Sequence, residues 1–355
     1  MYSIFRAVKF AWIALLLVPS LAAAQALSNS QEPGSVIVFP YFTTGTVTAD
    51  TAVLPKTEIH IGVKCPTGVI CPENEPIKLN AHWVCPGSEN PRSSFVCKES
   101  DFVLFTTVNG KITLNPNGQS SGGNIAVPPC PHGYLVAFVV NLFDQPIKFD
   151  GLFGDAVVRL SGGALSAYDG VPVQAAGGGV GGSPITSGFN QVTKQSALPL
   201  DAGGAYTGLT GQLSGDVKFD NTTVSPLYNT TSLVLLTLDV QSNLPNNPTF
   251  VPLTFYNANQ VPTSATTNFV CWQSIDIAKL NASLNQTSQT TAEGSFVSGQ
   301  AVKVAIQGIP DTSGPATLLG LVITTEGGAP TSIEREYITA PFNNSILVPT
   351  AFTLD

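Results

Sequence analysis

Two histidines and a carboxylate on predicted strands are the first residues of this chain whose types could do chemistry. In the predicted strand 57–64 apolar residues alternate with polar ones, so Glu58 and His60 share the polar side. In the predicted strand 77–85 the same alternation places His82 on the polar side. If these consecutive strands pair, Glu58, His60 and His82 converge on one face and could bind a divalent metal ion. The alternative is two solvated histidines on a sheet surface.

Three aspartates form a second candidate site, in a loop expected between two strands. Asp144, Asp150 and Asp155 lie in one short segment that also contains Gly151 and Gly154. Carboxylate oxygens gathered on a loop are typical Ca²⁺ ligands. The spacing does not match the EF-hand pattern, and Asp before Gly is also a common turn residue, so turn formation is the alternative. The sequence indicates no other cofactor.

Six cysteines predict a disulfide framework, because their number is even and the chain begins with an export leader. They are Cys65, Cys71, Cys85, Cys97, Cys130 and Cys271. Proximity favours bonds from Cys65 to Cys71 and from Cys85 to Cys97, which leaves Cys130 to pair with Cys271 across the two halves. A structural zinc site is the alternative, but the CxxC pairs typical of such sites are absent.

Motifs of known catalytic sites are missing from the sequence. It contains no HExxH and no GxxxxGK[ST] loop, and its one GxSxG match, GQSSG at 118–122, leads into no helical pattern of the kind that a nucleophile elbow needs. Full disulfide pairing would leave no free thiol. Glycoside hydrolysis needs only two carboxylates, so it is the enzyme class against which the sequence argues least. The sequence therefore favours a protein that is not an enzyme.

Strands must position these residues, because period-two alternation dominates and helical periodicity is nearly absent. In the first half, strands are predicted over 35–42, 57–64, 77–85, 101–108, 111–114, 133–141 and 156–160. In the second half they are predicted over 206–219, 231–240, 250–257, 268–277, 299–307, 316–325, 332–339 and 345–352, with one short helix within 275–284. Short strands separated by Gly, Pro and Asn predict an all-β fold, an antiparallel β-sandwich of immunoglobulin-like or jelly-roll type.

The strongest local signal is Asn109-Gly110, between the apolar runs 102–108 and 111–114. Asn-Gly accepts the positive φ angles that a type I′ turn needs. The pattern therefore predicts a β-hairpin.

Composition predicts two lobes. Residues 161–205 contain 11 of the 33 glycines and show no periodicity, which indicates a linker or a long loop. The rest of the chain is longer than a single core usually spans. We therefore expect an N-terminal β-sandwich lobe over 25–160 and a C-terminal β-sandwich lobe over 206–355.

The first 24 residues have the pattern of a secretory signal peptide. Arg6 and Lys9 precede an apolar run that ends at Val18, and the small residues 22–24 follow. The run is too short to span a membrane, so cleavage after residue 24 and no membrane insertion are expected. The predicted location is outside a bacterial cell, with the periplasm or the cell surface as alternatives.

Charge excludes some partners. The chain has a net charge of −8 at pH 7, and only 11% of its residues are charged. An acidic chain without clustered Lys and Arg is a poor ligand for nucleic acid and for anionic membranes. Neutral Thr, Ser, Asn and Gln supply its polarity, a composition common in extracellular structural and adhesive proteins.

Four short segments resemble parts of known proteins. They are GSVIVFPYF at 34–42, GYLVAFVVN at 133–141, GLFGDA at 151–156 and FVCW at 269–272. Through these segments the chain is similar to uncharacterised exported bacterial β-rich proteins of unknown function. Because that family has no established activity, the resemblance implies a secreted β-rich protein and no functional residues.

The sequence predicts a secreted, non-catalytic extracellular or cell-surface protein with a structural, adhesive or self-associating role. Its partners would be its own copies, cell-surface components or glycans, since exposed strand edges promote association. The alternative is a carbohydrate-active module, either a lectin-like binder or a glycoside hydrolase. In that case Trp83, Trp272 and the tyrosines would supply stacking platforms.

Overall fold

A computed structural model describes fifteen segments of the chain. They are residues 31–49, 52–72, 75–86, 97–159, 165–178, 188–190, 195–200, 205–219, 229–238, 248–284, 293–304, 313–326, 329–334, 347–348 and 350–354. The predicted leader, residues 1–24, lies outside the described residues.

Within the described segments, thirteen strands precede residue 175. They are β1 (Val36–Thr43), β2 (Thr46–Ala49), β3 (Ala52–Pro55), β4 (Thr57–Val63), β5 (Pro76–Val84), β6 (Glu99–Thr107), β7 (Lys111–Asn115), β8 (Gln119–Ser120), β9 (Gly123–Asn124), β10 (His132–Val140), β11 (Leu152–Arg159), β12 (Leu165–Asp169) and β13 (Val171–Val173).

The described residues after position 175 contain fifteen further strands. They are β14 (Gly188–Asn190), β15 (Gln195–Leu200), β16 (Leu209–Thr210), β17 (Ser214–Lys218), β18 (Asn229–Leu236), β19 (Thr249–Asn257), β20 (Pro262–Phe269), β21 (Trp272–Asp276), β22 (Glu293–Ser298), β23 (Val302–Lys303), β24 (Gly314–Pro315), β25 (Leu319–Glu326), β26 (Ala329–Glu334), β27 (Leu347–Val348) and β28 (Thr350–Leu354).

In the part of the chain that the structure describes, the helix α1 (Ile277–Leu280) lies within the predicted range and is followed by a 3₁₀ turn, Ala282–Leu284. The Asp276 carboxylate caps α1 by accepting a hydrogen bond from the Ala278 amide at 2.9 Å. Within the described ranges, no helix has the length and apolar character needed to cross a bilayer.

In the described residues, the first half forms two large antiparallel sheets, as an all-β sandwich requires, and a small sheet of β2 and β3. One has the strand order β13-β1-β10-β5-β6, and the other has the order β12-β11-β4-β7-β8-β9. Side chains of both sheets, among them Trp83 of β5 and Ile61 of β4, belong to one hydrophobic cluster. The two sheets therefore pack face to face around a common core.

The strands β1 and β10 of the five-stranded sheet are buried on both faces. All eight residues of β1 and eight of the nine residues of β10 are buried. Strands covered on both faces lose the apolar/polar alternation and become continuous apolar runs. This double burial explains the unbroken apolar sequences VIVFPYF and YLVAFVV.

The second half also builds two layers. One sheet has the order β17-β22-β19-β23-β24, with β20 paired to β19, and the other has the order β21-β18-β25-β26. Along β18, Leu233 and Leu235 join the hydrophobic cluster of the second half, whereas Val234 and Leu236 join that of the first half. The sheet that contains β18 therefore lies between the two clusters.

Contacts across the halves show that they pack together. The Tyr134 hydroxyl of β10 donates a hydrogen bond to the Thr237 carbonyl at 3.2 Å. The Trp272 indole N–H donates to the Pro40 carbonyl at 2.9 Å, and both of these tie points are buried. The second half thus covers the outward face of the five-stranded sheet near β1 and β10.

The predicted hairpin at Asn109-Gly110 is wrong. β6 belongs to the five-stranded sheet and β7 to the six-stranded sheet, so the turn leads from one sheet to the other. Asn109 does adopt the positive φ, 63°, and the Gly110 amide closes the turn on the Thr107 carbonyl at 2.8 Å. The dipeptide therefore specified the turn but not which strands pair.

The described parts of the segment 161–205 contain four short strands, β12 to β15. β12 pairs with β11 and β13 pairs with β1, so each adds an edge to a sheet of the first half. β15 pairs with β28 at the far end of the chain. The sequence did not predict these strands, because they are short and lie in a glycine-rich segment.

Candidate functional site

The predicted metal site of Glu58, His60 and His82 does not form. β4 pairs with β11 and β7, whereas β5 pairs with β10 and β6, so the two histidines lie on different sheets. Consecutive strands are neighbours in a sheet often but not always. Here the connection that contains the Cys65–Cys71 disulfide leads from one sheet to the other.

His60 instead lies between two carboxylates of its own sheet. Its Nε2 atom is 2.9 Å from Glu58 Oε1, and its Nδ1 atom is 2.9 Å from Asp155 Oδ2. Asp155 is the residue directly opposite His60 on β11. Because the two carboxylates flank opposite ring nitrogens, they hold the ring in place but do not converge on one point.

His82 forms a more compact group with two carboxylates of the neighbouring strand. It lies opposite Asp101 on β6, and Glu99, two residues earlier, shares the same face. His82 Nδ1 is 2.6 Å from Glu99 Oε1 and 2.6 Å from Asp101 Oδ1. The imidazole also stacks on Phe138 of β10, with ring centroids 5.5 Å apart.

The His82 group combines a buried imidazole with one buried and one solvent-exposed carboxylate. Burial lowers the pKa of His82, but hydrogen bonds to Asp101 and Glu99 and the charges of these carboxylates together raise it to about 9. The Glu99 side chain is only 3% exposed, whereas that of Asp101 is 43% exposed. Solvent therefore reaches the group from the Asp101 side.

Glu99 is the member that sequence reasoning missed. The strand was predicted to begin at residue 101, but β6 begins at Glu99. Alternation extended backwards by two residues would have placed Glu99 beside Asp101 on one face. No local signal, however, indicated that β6 pairs with β5.

The three aspartates predicted as calcium ligands have separate partners. Asp144 Oδ1 is 2.5 Å from Lys78 Nζ. Asp150 Oδ1 accepts hydrogen bonds from the Ser35 hydroxyl at 2.7 Å and the Ala175 amide at 2.8 Å. With Asp155 bound to His60, the structure does not gather Asp144, Asp150 and Asp155 into one site.

The His82 group also has the geometry of a metal-binding site. Across the described segments, His82, Glu99 and Asp101 are the only three His, Cys, Asp or Glu residues whose ligand atoms all lie within 4.8 Å of one another. Neither set predicted from the sequence meets this condition.

All six cysteines form disulfides, but only one predicted pairing is right. Cys65 bonds to Cys71 as proximity suggested, whereas Cys85 bonds to Cys130 and Cys97 to Cys271. Cys85 follows β5 and Cys130 precedes β10, and these two strands are antiparallel neighbours. Sheet pairing therefore brings Cys85 to Cys130, and Cys97 becomes the link to the second half.

An apolar patch, defined as Val103, Phe105, Leu142 and Phe143, lies on β6 and the turn after β10. Phe105 is 67% exposed, and Leu142 and Phe143 are 86% and 83% exposed. Phe105 is opposite Lys78 on β5, which in turn is opposite Val140 at the end of β10. The patch thus lies beside the His82 group, at the margin of the five-stranded sheet.

Neither tryptophan suggested as a sugar platform is available on the surface. Trp83 is fully buried, and Trp272 is buried beside Tyr41. The candidate sites are therefore the His82 group and the apolar patch, both near the margin of the five-stranded sheet.

No family model matches the chain, and no curated protein is found to be similar to it.

Proposed function

We propose that the protein is an exported, non-catalytic extracellular or cell-surface protein that works by self-association, with β6 as the contact strand. The observation that carries this proposal is the apolar patch on an edge strand. β6 ends its sheet and pairs with no second strand in the described part of the chain. An apolar edge strand is a template for pairing with another chain unless something blocks it.

The charges along β6 favour a second copy in antiparallel orientation. The acidic residues Glu99 and Asp101 lie in the first half of the strand, and the second half is neutral. A two-fold pairing centred on Leu104 places Val103 of each copy opposite Phe105 of the other. It also places Asp101 opposite Thr107, whereas a parallel pairing would oppose like charges.

The size of the patch fits a reversible contact. Burying a large apolar side chain contributes roughly 1.5–3 kcal/mol. Val103 and Phe105, the patch residues on β6 itself, would supply on the order of 5–10 kcal/mol from two copies, which is similar to the entropic cost of association. Main-chain hydrogen bonds along β6 would then decide the affinity, so a single charge in the patch should have a large effect.

Replacing Phe105 by lysine should raise the dissociation constant of the dimer about a hundredfold or more. Two phenylalanine rings are lost from each contact, and an ammonium group would have to be desolvated. Sedimentation velocity over a concentration series of the purified mature protein measures the shift. Leu165→Lys is the matched control, because Leu165 is 64% exposed on a strand of the other sheet.

The proposal fails if the unaltered protein remains a monomer at all concentrations reached. It also fails if Leu165→Lys weakens association as much as Phe105→Lys does.

An open polar pocket in the second half supports the carbohydrate-active alternative. Asp216, Lys218, Asn257 and Glu293 line it, and they come from β17, β19 and β22. Two carboxylates, an amide and an ammonium are groups that can hydrogen-bond to sugar hydroxyls. If this alternative is correct, binding on a glycan array should be lost in Glu293→Gln and retained in Phe105→Lys; silence of the unaltered protein across a broad panel would contradict it.

A further inference from the structure

We infer that His82, Glu99 and Asp101 bind a divalent transition-metal ion of the Zn²⁺ type at the junction of β5 and β6. One imidazole nitrogen and two carboxylate oxygens point to a single place, with both nitrogen–oxygen separations at 2.6 Å. Zn²⁺ takes this donor set, and three protein ligands leave one position for water. Two of the three ligands lie on β6, the proposed contact strand, but the inference rests on the geometry of the His82 group and does not depend on the proposed function.

Charge supports an ion at this place. The carboxylates of Glu99 and Asp101 together carry a charge of −2, and one of them is almost completely buried. An excess charge away from water is costly. A divalent cation bound to both carboxylates would bring their charge to zero.

The arrangement of donors separates this group from ordinary ion pairing. In the His60 group the carboxylates lie on opposite sides of the ring, next to different nitrogens. In the His82 group both carboxylates approach the same nitrogen, Nδ1. Two oxygens cannot both receive the single Nδ1 proton in a strong hydrogen bond, but both can coordinate one cation.

The surroundings allow binding with little rearrangement. Donors of a tetrahedral zinc ion lie roughly 3.3 Å apart, since each is about 2.0–2.2 Å from the metal. The required widening is therefore below about 1 Å, and the half-exposed Asp101 is free to supply much of it. Stacking on Phe138 fixes the imidazole plane, as a buried ligand requires.

A bound ion would also affect the edge strand. Glu99 and Asp101 are the first and third residues of β6, whereas His82 is on β5. The ion would cross-link the two strands at the end where β6 follows the Cys97–Cys271 disulfide. Metal binding should therefore stabilise the fold as well as occupy the site.

Metal analysis of the disulfide-bonded mature protein tests the inference. After chelator treatment, incubation with Zn²⁺ and dialysis, we expect about one equivalent of zinc per chain. Asp101→Asn should weaken zinc binding at least about tenfold in titration calorimetry. Asp155→Asn, which alters the His60 group in the same way, should bind zinc like the unaltered protein.

A measurement on the unaltered protein makes the test independent of any variant. The described residues include three histidines, His60, His82 and His132, so imidazole NMR signals can be followed separately. Zn²⁺ should shift the signals of His82 and leave those of His60 and His132 unchanged. Retention of less than a tenth of an equivalent, an unshifted His82, or equal effects of Asp101→Asn and Asp155→Asn would each overturn the inference.

Discussion

Replacing Cys97 and Cys271 together by alanine should lower the free energy of unfolding by about 5 kcal/mol. The bond closes a loop with a sequence separation of 174 residues. In the chain-entropy description, the stabilisation by a disulfide grows with the logarithm of loop length and approaches this value for such a loop. Both cysteines are buried, so alanine avoids placing a new polar group in the core.

The position of this disulfide adds to its expected effect. Cys97 lies just before the edge strand β6, and Cys271 lies between β20 and β21 in the second half. Without the bond, the contact between the halves at this margin depends on packing and on hydrogen bonds such as that from Trp272 to Pro40. Loss of the bond should therefore make the two halves unfold less cooperatively.

Denaturant unfolding in non-reducing buffer measures the effect. The matched control is the double replacement of Cys65 and Cys71 by alanine, since that bond has a sequence separation of only 6. The same description gives a loss of about 2 kcal/mol for it. Equal losses in the two double variants would show that loop closure does not account for the stabilisation by Cys97–Cys271.

Strand positions could be predicted from the sequence because alternation and turn residues are local signals. β1, β4 and β10 each lie within one residue of their predicted bounds at both ends. In β4 the residues predicted to face inward, Ile59 and Ile61, are buried, and Glu58 and His60 on the other side are half-buried. The polar side of a strand was therefore predictable.

Strand pairing could not be predicted, because the choice of neighbour depends on the whole fold. Nothing in 57–64 or 77–85 states that these strands belong to different sheets. The apolar sequences of β1 and β10 reflect a second covering layer, which is supplied by β18 and β25 from the second half of the chain. The packing of the two halves against each other could not be predicted for the same reason.

The candidate metal group illustrates the same limit at the level of side chains. His82 was singled out correctly as a polar-face residue, but its ligand partners come from β6 rather than β4. The cysteine pairing failed for an equivalent reason, since Cys85 meets Cys130 through the pairing of β5 with β10. The sequence shows which residues could be ligands or disulfide partners, but which of them come together depends on how the strands pair.

Replacing Trp83 by alanine should lower the free energy of unfolding by about 4 kcal/mol. Trp83 is fully buried in the core between the two sheets of the first half. Its ring packs edge-on against Phe42, with centroids 4.9 Å apart, and stacks on Phe102 at 5.4 Å. Removal of a buried tryptophan costs the transfer free energy of its surface and leaves a cavity among these rings.

A hydrogen bond adds to this loss. The Trp83 indole N–H donates to the Ala126 carbonyl at 2.9 Å, and this contact fastens the loop before β10 to the core. Trp83→Phe keeps most of the ring volume but loses the donor, so its expected loss is about 2 kcal/mol. Chemical denaturation followed by circular dichroism measures the free energy of unfolding of both variants, because this signal does not require the tryptophan that both variants lack.

Ile70→Ala serves as the surface control, because Ile70 is 97% exposed and should change the free energy of unfolding by less than about 0.5 kcal/mol. The loss in the free energy of unfolding should be largest for Trp83→Ala, smaller for Trp83→Phe and smallest for Ile70→Ala, because the cavity and the lost hydrogen-bond donor both destabilise the protein. A loss of less than about 1 kcal/mol in the free energy of unfolding of Trp83→Ala would contradict a tightly packed core between the five-stranded and six-stranded sheets. That core holds β5 in place, and β5 carries His82 on its opposite face.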